Sequence, residues 1–200
     1  MIKEIPSLRI RPDDWLGPLD LDGAYPAKPA RIEADIGCGK GRFLLARAAA
    51  HPETAFLGID RMLGRLRKIE RAAARQMLPN IRLLRCEAAY AVAYLLPDGC
   101  LDEAFVFFPD PWPKARHHEN RLFSTPFLDF MSRKLKPGGG LHVATDHLPY
   151  FEEILERVSA DTRFQTVETF VPGEAEQTDF ERLYLNVKTI GRASWQRLPR

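Results

Sequence analysis

Short apolar runs alternate along this chain with longer stretches in which apolar side chains recur every three or four positions. The short runs predict strands and the longer stretches predict helices. The predicted strands are 32–36, 55–59, 81–86, 101–108 and 141–145, and the predicted helices are 41–50, 62–77, 88–95, 127–135 and 150–158. Such alternation is typical of an α/β fold, in which helices cover both faces of a parallel sheet.

The two ends of the chain depart from this alternation. Residues 1–30 hold five of the sixteen prolines and little periodicity, which predicts an irregular arm before a single domain spanning 31–200. Beyond the last predicted helix, two β-like stretches at 164–171 and 183–189 have no helical period between them. We expect them to pair as an antiparallel end to the sheet.

Composition limits the class of protein. The chain has 200 residues and is 45% hydrophobic, which suffices for one sizeable core. No apolar run reaches the roughly 20 residues of a membrane-spanning helix, and the first residues do not resemble a signal peptide, so we expect a cytoplasmic protein without a membrane partner. The three cysteines lack zinc-like spacing, which favours free thiols and no metal site. A net charge of +2 leaves the partner open, because binding depends on local patches.

A glycine-rich segment follows the first predicted strand. Asp35 precedes Gly37, Gly39 and Gly41. Glycines at such a turn let the backbone bend sharply and approach a ligand closely. The dinucleotide pattern G-x-G-x-x-G would need a glycine where Arg42 stands, so the spacing favours a methyltransferase loop around the methionine end of its cofactor. A purely structural turn is the alternative.

Carboxylates stand at the ends of three successive predicted strands, at Asp35, Asp60 and Glu87. Asp35 suits a cofactor ammonium group, Asp60 a ribose, and Glu87 or its neighbouring backbone an adenine amino group. The alternative for each is an exposed acid at the start of a helix, where the helix dipole favours negative charge. Three acids at successive strand ends favour the ligand site, because open α/β sheets bind ligands there.

The loop after the fourth strand has three prolines in five residues and presents Asp110 and Trp112 between them. Prolines leave these side chains little conformational freedom to lose. An acid beside an aromatic ring suits a purine, because the ring can stack on the base while the acid fixes an edge. A rigid connection around a buried Trp is the alternative. It fits poorly with the basic residues that follow, which are Lys114, Arg116, His117, His118 and Arg121.

The sequence P-D-P-W-P-K at 109–114, with the basic residues after it, resembles the signature of the bacterial tRNA (guanine-N(7)-)-methyltransferases. The similarity spans about 32–189 and includes Thr145-Asp146 and the segment T-D-F-E at 178–181. It implies a Rossmann-like class I methyltransferase domain with S-adenosylmethionine as cofactor and tRNA as substrate. The implied product is N7-methylguanosine in the variable loop (m7G46).

The resemblance also assigns residues to the site. It implies that Asp35, Asp60, Glu87 and Asp110 line the cofactor pocket beside the glycine loop, with Asp110 also at the catalytic centre. Substrate-binding positions of the family match Lys114, Asp146, Thr178, Asp179, Phe180 and Glu181. To these the basic run adds Arg116, His117 and Arg121 as predicted phosphate or base contacts. N7 of guanine has a lone pair and no proton, so Asp110 is expected to orient and stabilise rather than to abstract a proton.

The sequence departs from the family pattern in two ways. Asp35 and Asp60 stand where the family more often has Glu, and Glu87 where it more often has Asp, which preserves charge. Glu119 and Asn120 stand where Lys or Arg is usual, which makes the basic run thinner. The helical stretch 61–75 also predicts a second basic surface, and a solvated helix face is the alternative. Its cations at helical spacing are Arg61, Arg65, Lys68, Arg71 and Arg75, beside the apolar stripe of Met62, Leu66, Ile69 and Ala73.

Two other functions stay open. A methyltransferase for another amine or nucleic acid would lack the basic run and the 178–181 segment. An RNA-binding relative without catalysis predicts a damaged glycine loop, whereas all three glycines are present. The sequence leaves open whether the protein is a monomer or a homodimer and which tRNAs it uses.

Overall fold

The computed structural model describes residues 7–184 and 187–199, which form an eight-stranded sheet covered by helices. The strand order is β1-β4-β3-β2-β5-β6-β8-β7. The strands are β1 (Arg9–Ile10), β2 (Ile32–Ile36), β3 (Ala55–Ile59), β4 (Ile81–Leu84), β5 (Leu101–Phe107), β6 (Leu135–Thr145), β7 (Phe164–Thr166) and β8 (Gly191–Arg197). Every neighbouring pair from β1 to β6 is parallel, and β8 is antiparallel to both β6 and β7. The predicted α/β sheet with an antiparallel end is confirmed.

The helices follow the predicted order. They are α1 (Leu21–Ala24), α2 (Arg42–Ala50), α3 (Leu63–Gln76), α4 (Ala88–Tyr90), α5 (Thr125–Lys134), α6 (Leu148–Ser159) and α7 (Asp179–Tyr184). α4 continues as a π-helical turn over Ala91–Leu95, and 3-10 turns span Ala115–Asn120 and Glu174–Glu176. The amphipathic pattern explains α3, since Leu66, Ile69 and Ala73 are fully buried at helical spacing.

The predicted strand at 183–189 is wrong in position. α7 extends to Tyr184, the antiparallel strand begins at Gly191, and residues 185 and 186 lie outside the described chain. Thr178 Oγ1 accepts a hydrogen bond from Glu181 N, and Glu181 Oε2 accepts one from Thr178 N. This reciprocal pair is a capping box, which starts a helix and outweighs the β-like composition after it.

The described part of the N-terminal segment packs against the domain. Residues 7–30 have little regular structure, yet β1 adds to the sheet beside β4. Leu8, Leu19, Leu21 and Tyr25 are buried, and the Tyr25 hydroxyl donates to Phe56 O at 3.0 Å. These contacts attach the segment to the core.

The order of the strands creates a crevice beside β2. The chain runs from β2 outward through β3 to β4 and then returns to the other side of β2 with β5. The carboxyl ends of β2 and β5 therefore lie side by side, with Asp35 in register with Phe105. Open α/β sheets bind their ligands at such a reversal.

The cysteines are free thiols. Burial raises the pKa of Cys38 well above its usual value and that of Cys100 to about 12. Among the residues that the structure describes, no three His, Cys, Asp or Glu side chains gather as metal ligands, and no helix is long and apolar enough to span a membrane.

Candidate active site at the carboxyl ends of the strands

The glycine loop leaves an open face above the end of β2. Gly37, Gly39 and Gly41 have φ angles of 85°, 55° and 78°, in the left-handed region that other residues rarely adopt. A Cβ on Gly37 would meet nothing within 4 Å, and one on Gly39 would approach only Gly37 O, at 3.9 Å. A Cβ on Gly41 would lie 2.4 Å from Ile69 Cγ1. The first two glycines therefore leave room for a ligand, whereas the third lets α3 pack closely.

Asp35 brings an uncompensated carboxylate to this loop. The residue is 5% exposed, and no hydrogen bond to its carboxylate occurs within the described residues. Burial, and to a smaller extent the nearby Asp60 carboxylate, raise the pKa of Asp35 to about 7. A buried carboxylate in this environment favours a cationic ligand, because a positive group would stabilise its ionised form. Asp35 thus lies where the sequence analysis placed it.

Asp60, at the end of β3, already has partners within the chain. Its Oδ2 accepts from Gly39 N at 3.1 Å and lies 3.2 Å from Arg65 Nη1, while its Oδ1 accepts from Met62 N at 2.7 Å. The structure brings Asp60 to the glycine loop as expected. In these contacts its carboxylate fixes the shape of that loop.

Glu87, at the end of β4, caps a helix. Its carboxylate accepts from Ala89 N at 3.0 Å and from Tyr90 N at 2.8 Å, and the side chain is exposed. This is the arrangement that the sequence analysis named as the alternative to an adenine contact. Glu87 still lies at the same sheet edge as Asp35 and Asp60, since β2, β3 and β4 are neighbours.

The proline-rich loop after β5 has a constrained backbone. Phe108 and Trp112 have positive φ angles of 53° and 42°, which cost on the order of 1–3 kcal/mol each for residues other than glycine. Between them Asp110 is exposed, and its Oδ1 accepts from Trp112 N at 3.2 Å. The loop therefore presents an acid and a half-buried indole in a conformation that the rest of the structure must maintain.

Arg121 holds the backbone of the proline-rich loop from the buried side of that loop. It is only 7% exposed, and its Nε donates to Pro111 O at 2.9 Å. Its guanidinium also pairs with Glu153 and lies 4.8 Å from the ring centroid of Tyr150. Arg121 therefore does not extend into solvent with the basic run to which the sequence analysis assigned it. A signal was present, because the apolar residues Leu122 and Phe123 mark the return of the chain to the core.

The rest of the basic run lies at the surface. Lys114, Arg116 and His118 are exposed. His117 is half-buried, with its ring edge-on to the Trp112 indole at a centroid distance of 5.7 Å. Lys114 and Arg116 remain available to a polyanion, whereas His117 supports the Trp112 ring.

The segment 178–181 packs against the proline-rich loop. The ring centroids of Phe180 and Phe108 are 4.4 Å apart. Glu181 is fully buried and pairs with Arg192, so Glu181 and Thr178 hold α7 in place. Asp179 stands in the first turn of this helix.

Asp146 lies beyond the end of β6, on the far side of β5 from the glycine loop. Its carboxylate pairs with Lys188 Nζ, and the same ammonium lies 5.3 Å from the ring centroid of Phe180. Asp146 and α7 thus lie together beside the proline-rich loop.

Two arginines of α2 make long-range contacts that the sequence did not predict. Arg42 Nε donates to Gln177 O at 3.0 Å, and Arg47 pairs with Glu33 and with Glu176 at 3.3 Å. These bonds attach the segment before α7 to the helix that follows the glycine loop. No local pattern reveals them, because their partners are 135 and 129 positions away.

Comparison with known proteins agrees with this geometry. Residues 29–189 match a family described as putative methyltransferase. The tRNA (guanine-N(7)-)-methyltransferase of Halorhodospira halophila (strain DSM 244 / SL1) is 39% identical over 171 residues, which are 83% of this chain and 74% of that protein. That of Alkalilimnicola ehrlichii (strain ATCC BAA-1101 / DSM 17681 / MLHE-1) is 39% identical over 169 residues, 82% of this chain and 71% of that protein.

Solved structures share the fold. The 16S rRNA methyltransferase KamB superposes with a TM-score of 0.64 at 19% identity, over 86% of this chain and 89% of that chain. Since so low an identity supports the fold alone, KamB confirms the class I methyltransferase architecture. The family match and the similar relatives agree with the glycine loop and the proline-rich loop seen in the structure. The chain therefore belongs to the tRNA (guanine-N(7)-)-methyltransferase family.

Proposed function

We propose that this protein transfers a methyl group from S-adenosylmethionine to N7 of a guanosine in tRNA. The observation that carries the proposal is the pairing of two features at adjacent strand ends. Asp35 is buried, pairs with no cation in the described part of the chain, and lies beside open glycine backbone at the end of β2. The constrained Asp110 loop stands at the adjacent end of β5. One feature suits a cationic cofactor and the other a purine.

The residues at the end of β2 fit the cofactor. Asp35 offers a carboxylate to its ammonium group, and Gly37 and Gly39 leave space for it to approach the backbone. Asp60 holds the loop through Gly39 N, and the end of β4 at Glu87 is the expected place for the adenine. When bound, S-adenosylmethionine supplies an electrophilic methyl group on a positively charged sulfur.

The residues at the end of β5 fit the target base. The N7 lone pair lies in the plane of guanine and needs no deprotonation, so catalysis rests on position and charge. Positive charge enters the purine as the methyl group is transferred, and the Asp110 carboxylate stabilises it. Trp112 offers a stacking surface. Arg121, through Pro111 O, keeps both side chains where the backbone presents them.

The exposed cations of the basic run, Lys114 and Arg116, provide contacts for the RNA backbone beside the base. Similarity to the family supports a guanosine of the variable loop as the target and the cytoplasmic tRNA pool as its source.

A substrate analogue provides the decisive test. The purified chain is incubated with methyl-labelled S-adenosylmethionine and an unmodified tRNA transcript, and the digested nucleosides are identified by mass spectrometry. We expect 7-methylguanosine at one position. A transcript with 7-deazaguanosine at that position is the matched control, because it lacks only the N7 lone pair, and it should accept no label. Label in the control, or a product methylated on an exocyclic amine, would refute the proposal.

A further inference from the structure

The exposed side of α3 carries a row of cations. Successive residues of a helix are about 100° apart around its axis, so four of the Lys and Arg residues of α3 fall within an arc of roughly 100°. These four, here called the α3 cationic face, are Arg67, Lys68, Arg71 and Arg75. All are exposed, and the buried side chains of Leu66, Ile69 and Ala73 point to the opposite side. The face therefore has no part in packing α3 on the sheet.

The positive charge of this region is not balanced locally. Residues 61–76 contain six Lys and Arg residues and one acid, although the whole chain has a net charge of only +2. That acid, Glu70, already pairs with Arg9 at 3.0 Å and accepts from Ser7 Oγ at 3.0 Å. Over the described ranges, none of the four cations of the face forms an ion pair with a carboxylate. Because residues 61–76 hold six of the 29 Lys and Arg residues and only one of the 27 acids, the chain outside this segment has a net negative charge.

This arrangement is unfavourable in the free protein. Like charges three and four positions apart, such as Lys68 with Arg71 and Arg71 with Arg75, destabilise a helix. A polyanion bound along the face would relieve that repulsion.

The position of α3 connects the face to the candidate site. The helix begins just after Asp60, and Arg65 Nη1 lies 3.2 Å from the Asp60 carboxylate. β3, which leads into α3, is two strands from β5 and its proline-rich loop, a distance of about 10 Å across the sheet. The 14 residues of α3 extend about 21 Å from that edge. An RNA with its target base at Asp110 therefore has about 10 Å to cross along the sheet edge to reach the first turn of α3.

We propose that the α3 cationic face binds the phosphate backbone of the tRNA substrate, at a surface separate from the loop that holds the target base. The proposal rests on the proposed function and extends it. The basic run after Asp110 offers Lys114 and Arg116 as exposed cations and includes the acid Glu119. The α3 cationic face therefore supplies more of the positive charge that retains the RNA.

The test compares two doubly neutralised variants. Lys68→Gln/Arg71→Gln removes two charges from the face, and Gln retains a high helix propensity. Lys28→Gln/Arg133→Gln is the control, matched in the change of net charge; Lys28 pairs with the exposed Asp22 at 2.7 Å. The control also removes two exposed charges, at residues that precede β2 and β6 and so lie at the opposite, amino edge of the sheet. tRNA affinity is measured against salt concentration, together with KM and kcat for tRNA and the affinity for S-adenosylmethionine.

The face variant should bind tRNA more weakly and show a higher KM for tRNA. Its salt slope should fall by about two units, roughly one for each lost phosphate contact. Its kcat at saturating tRNA and its cofactor affinity should match wild type, and the control should retain the wild-type slope. Equal slopes and affinities in wild type and face variant, in an enzyme that methylates tRNA, would overturn this inference alone. A wild-type protein that neither binds nor methylates tRNA would overturn the proposed function with it.

Discussion

The loops that follow β2 and β5 lie side by side but are built in different ways. The loop after β2 is rich in glycine and adjoins Asp35, whose pKa is raised to about 7 by burial and, second, by the nearby Asp60 carboxylate. The β5 loop is made of prolines, and Arg121 supports its strained backbone through Pro111 O. The first loop has an electrostatic requirement that a ligand must meet, whereas the second has its geometry set in advance. Substitutions should therefore impair the first through charge and the second through loss of position.

The largest effect should follow from Asp110→Asn. This change removes the charge that stabilises the methylated purine and nearly preserves the shape of the side chain. We expect kcat to fall by about 100-fold or more, the scale of losing one electrostatic contact to a transition state. Single-turnover assays with saturating tRNA and cofactor measure this. The melting temperature should change little, because Asp110 is exposed. Normal turnover in a folded variant would show that Asp110 has no catalytic role.

Arg121→Leu should have the next largest effect, since it removes the bond to Pro111 O and one partner of Glu153. We expect kcat to fall about tenfold or more and stability to fall by about 1–3 kcal/mol, because a charged hydrogen bond to Pro111 O is lost, whereas the partly exposed Glu153 keeps Arg157 as a partner. The salt slope of tRNA binding should not change, and Arg121→Lys should restore part of kcat by restoring the pairing charge. A slope reduced by about one unit would instead place Arg121 on a phosphate, as the sequence analysis expected.

The third effect is a pH dependence that Asp35→Asn should abolish. Because the pKa of Asp35 is raised to about 7, the free protein carries a proton there at lower pH, and a cationic ligand must displace it. Cofactor affinity should therefore rise up to about tenfold per pH unit below 7 and level off above it. The Asn variant should bind more weakly at pH 8 and show a flat profile by calorimetry. A profile unchanged in the variant would argue against contact between Asp35 and the cofactor cation.

The same group should affect stability without ligand, with a definite sign. The folded pKa lies above the usual 3.8, so the folded state binds more protons between the two values and loses stability as pH rises through about 7. Between pH 5 and 8 the melting temperature of the wild type should fall relative to that of Asp35→Asn.

The smallest effect should come from Glu87→Gln. Ala89 N and Tyr90 N donate to different oxygens of the Glu87 carboxylate, so Gln keeps an acceptor for one of them and loses the other acceptor with the charge at the start of α4. We expect cofactor affinity to change only a few-fold, in line with about 0.3–1 kcal/mol for a charge at a helix terminus. A loss of more than about tenfold would mean that the Glu87 carboxylate contacts the adenine directly.

Local patterns predicted the region around β2 well. The bounds of β2 and β3 agree with those expected, and the acids Asp35, Asp60 and Glu87 occupy three adjacent strand ends. These features depend on short-range periodicity and on the general geometry of parallel sheets, so they can be deduced from the sequence.

The region around β5 and α7 was harder to predict because it depends on distant contacts. The burial of Arg121 requires Glu153 and Tyr150, which lie on α6. The attachment of the segment before α7 requires Arg42 and Arg47 on α2. For Thr178 and Glu181 a local signal did exist, the spacing of a capping box, but the apolar residues after it favoured a strand.

The very short strands at the two ends of the sheet protect it from self-association. β1 has two residues and β7 has three, so neither offers a row of free backbone groups to another chain. The strand next to β1 is β4, in which Ile81, Leu83 and Leu84 are fully buried and Leu83 N donates to Leu8 O at 2.9 Å. A chain trimmed after Ile10 would keep every residue of the candidate site and uncover this apolar border. We therefore expect the trimmed chain to aggregate by strand addition at β4, although its catalytic groups are intact.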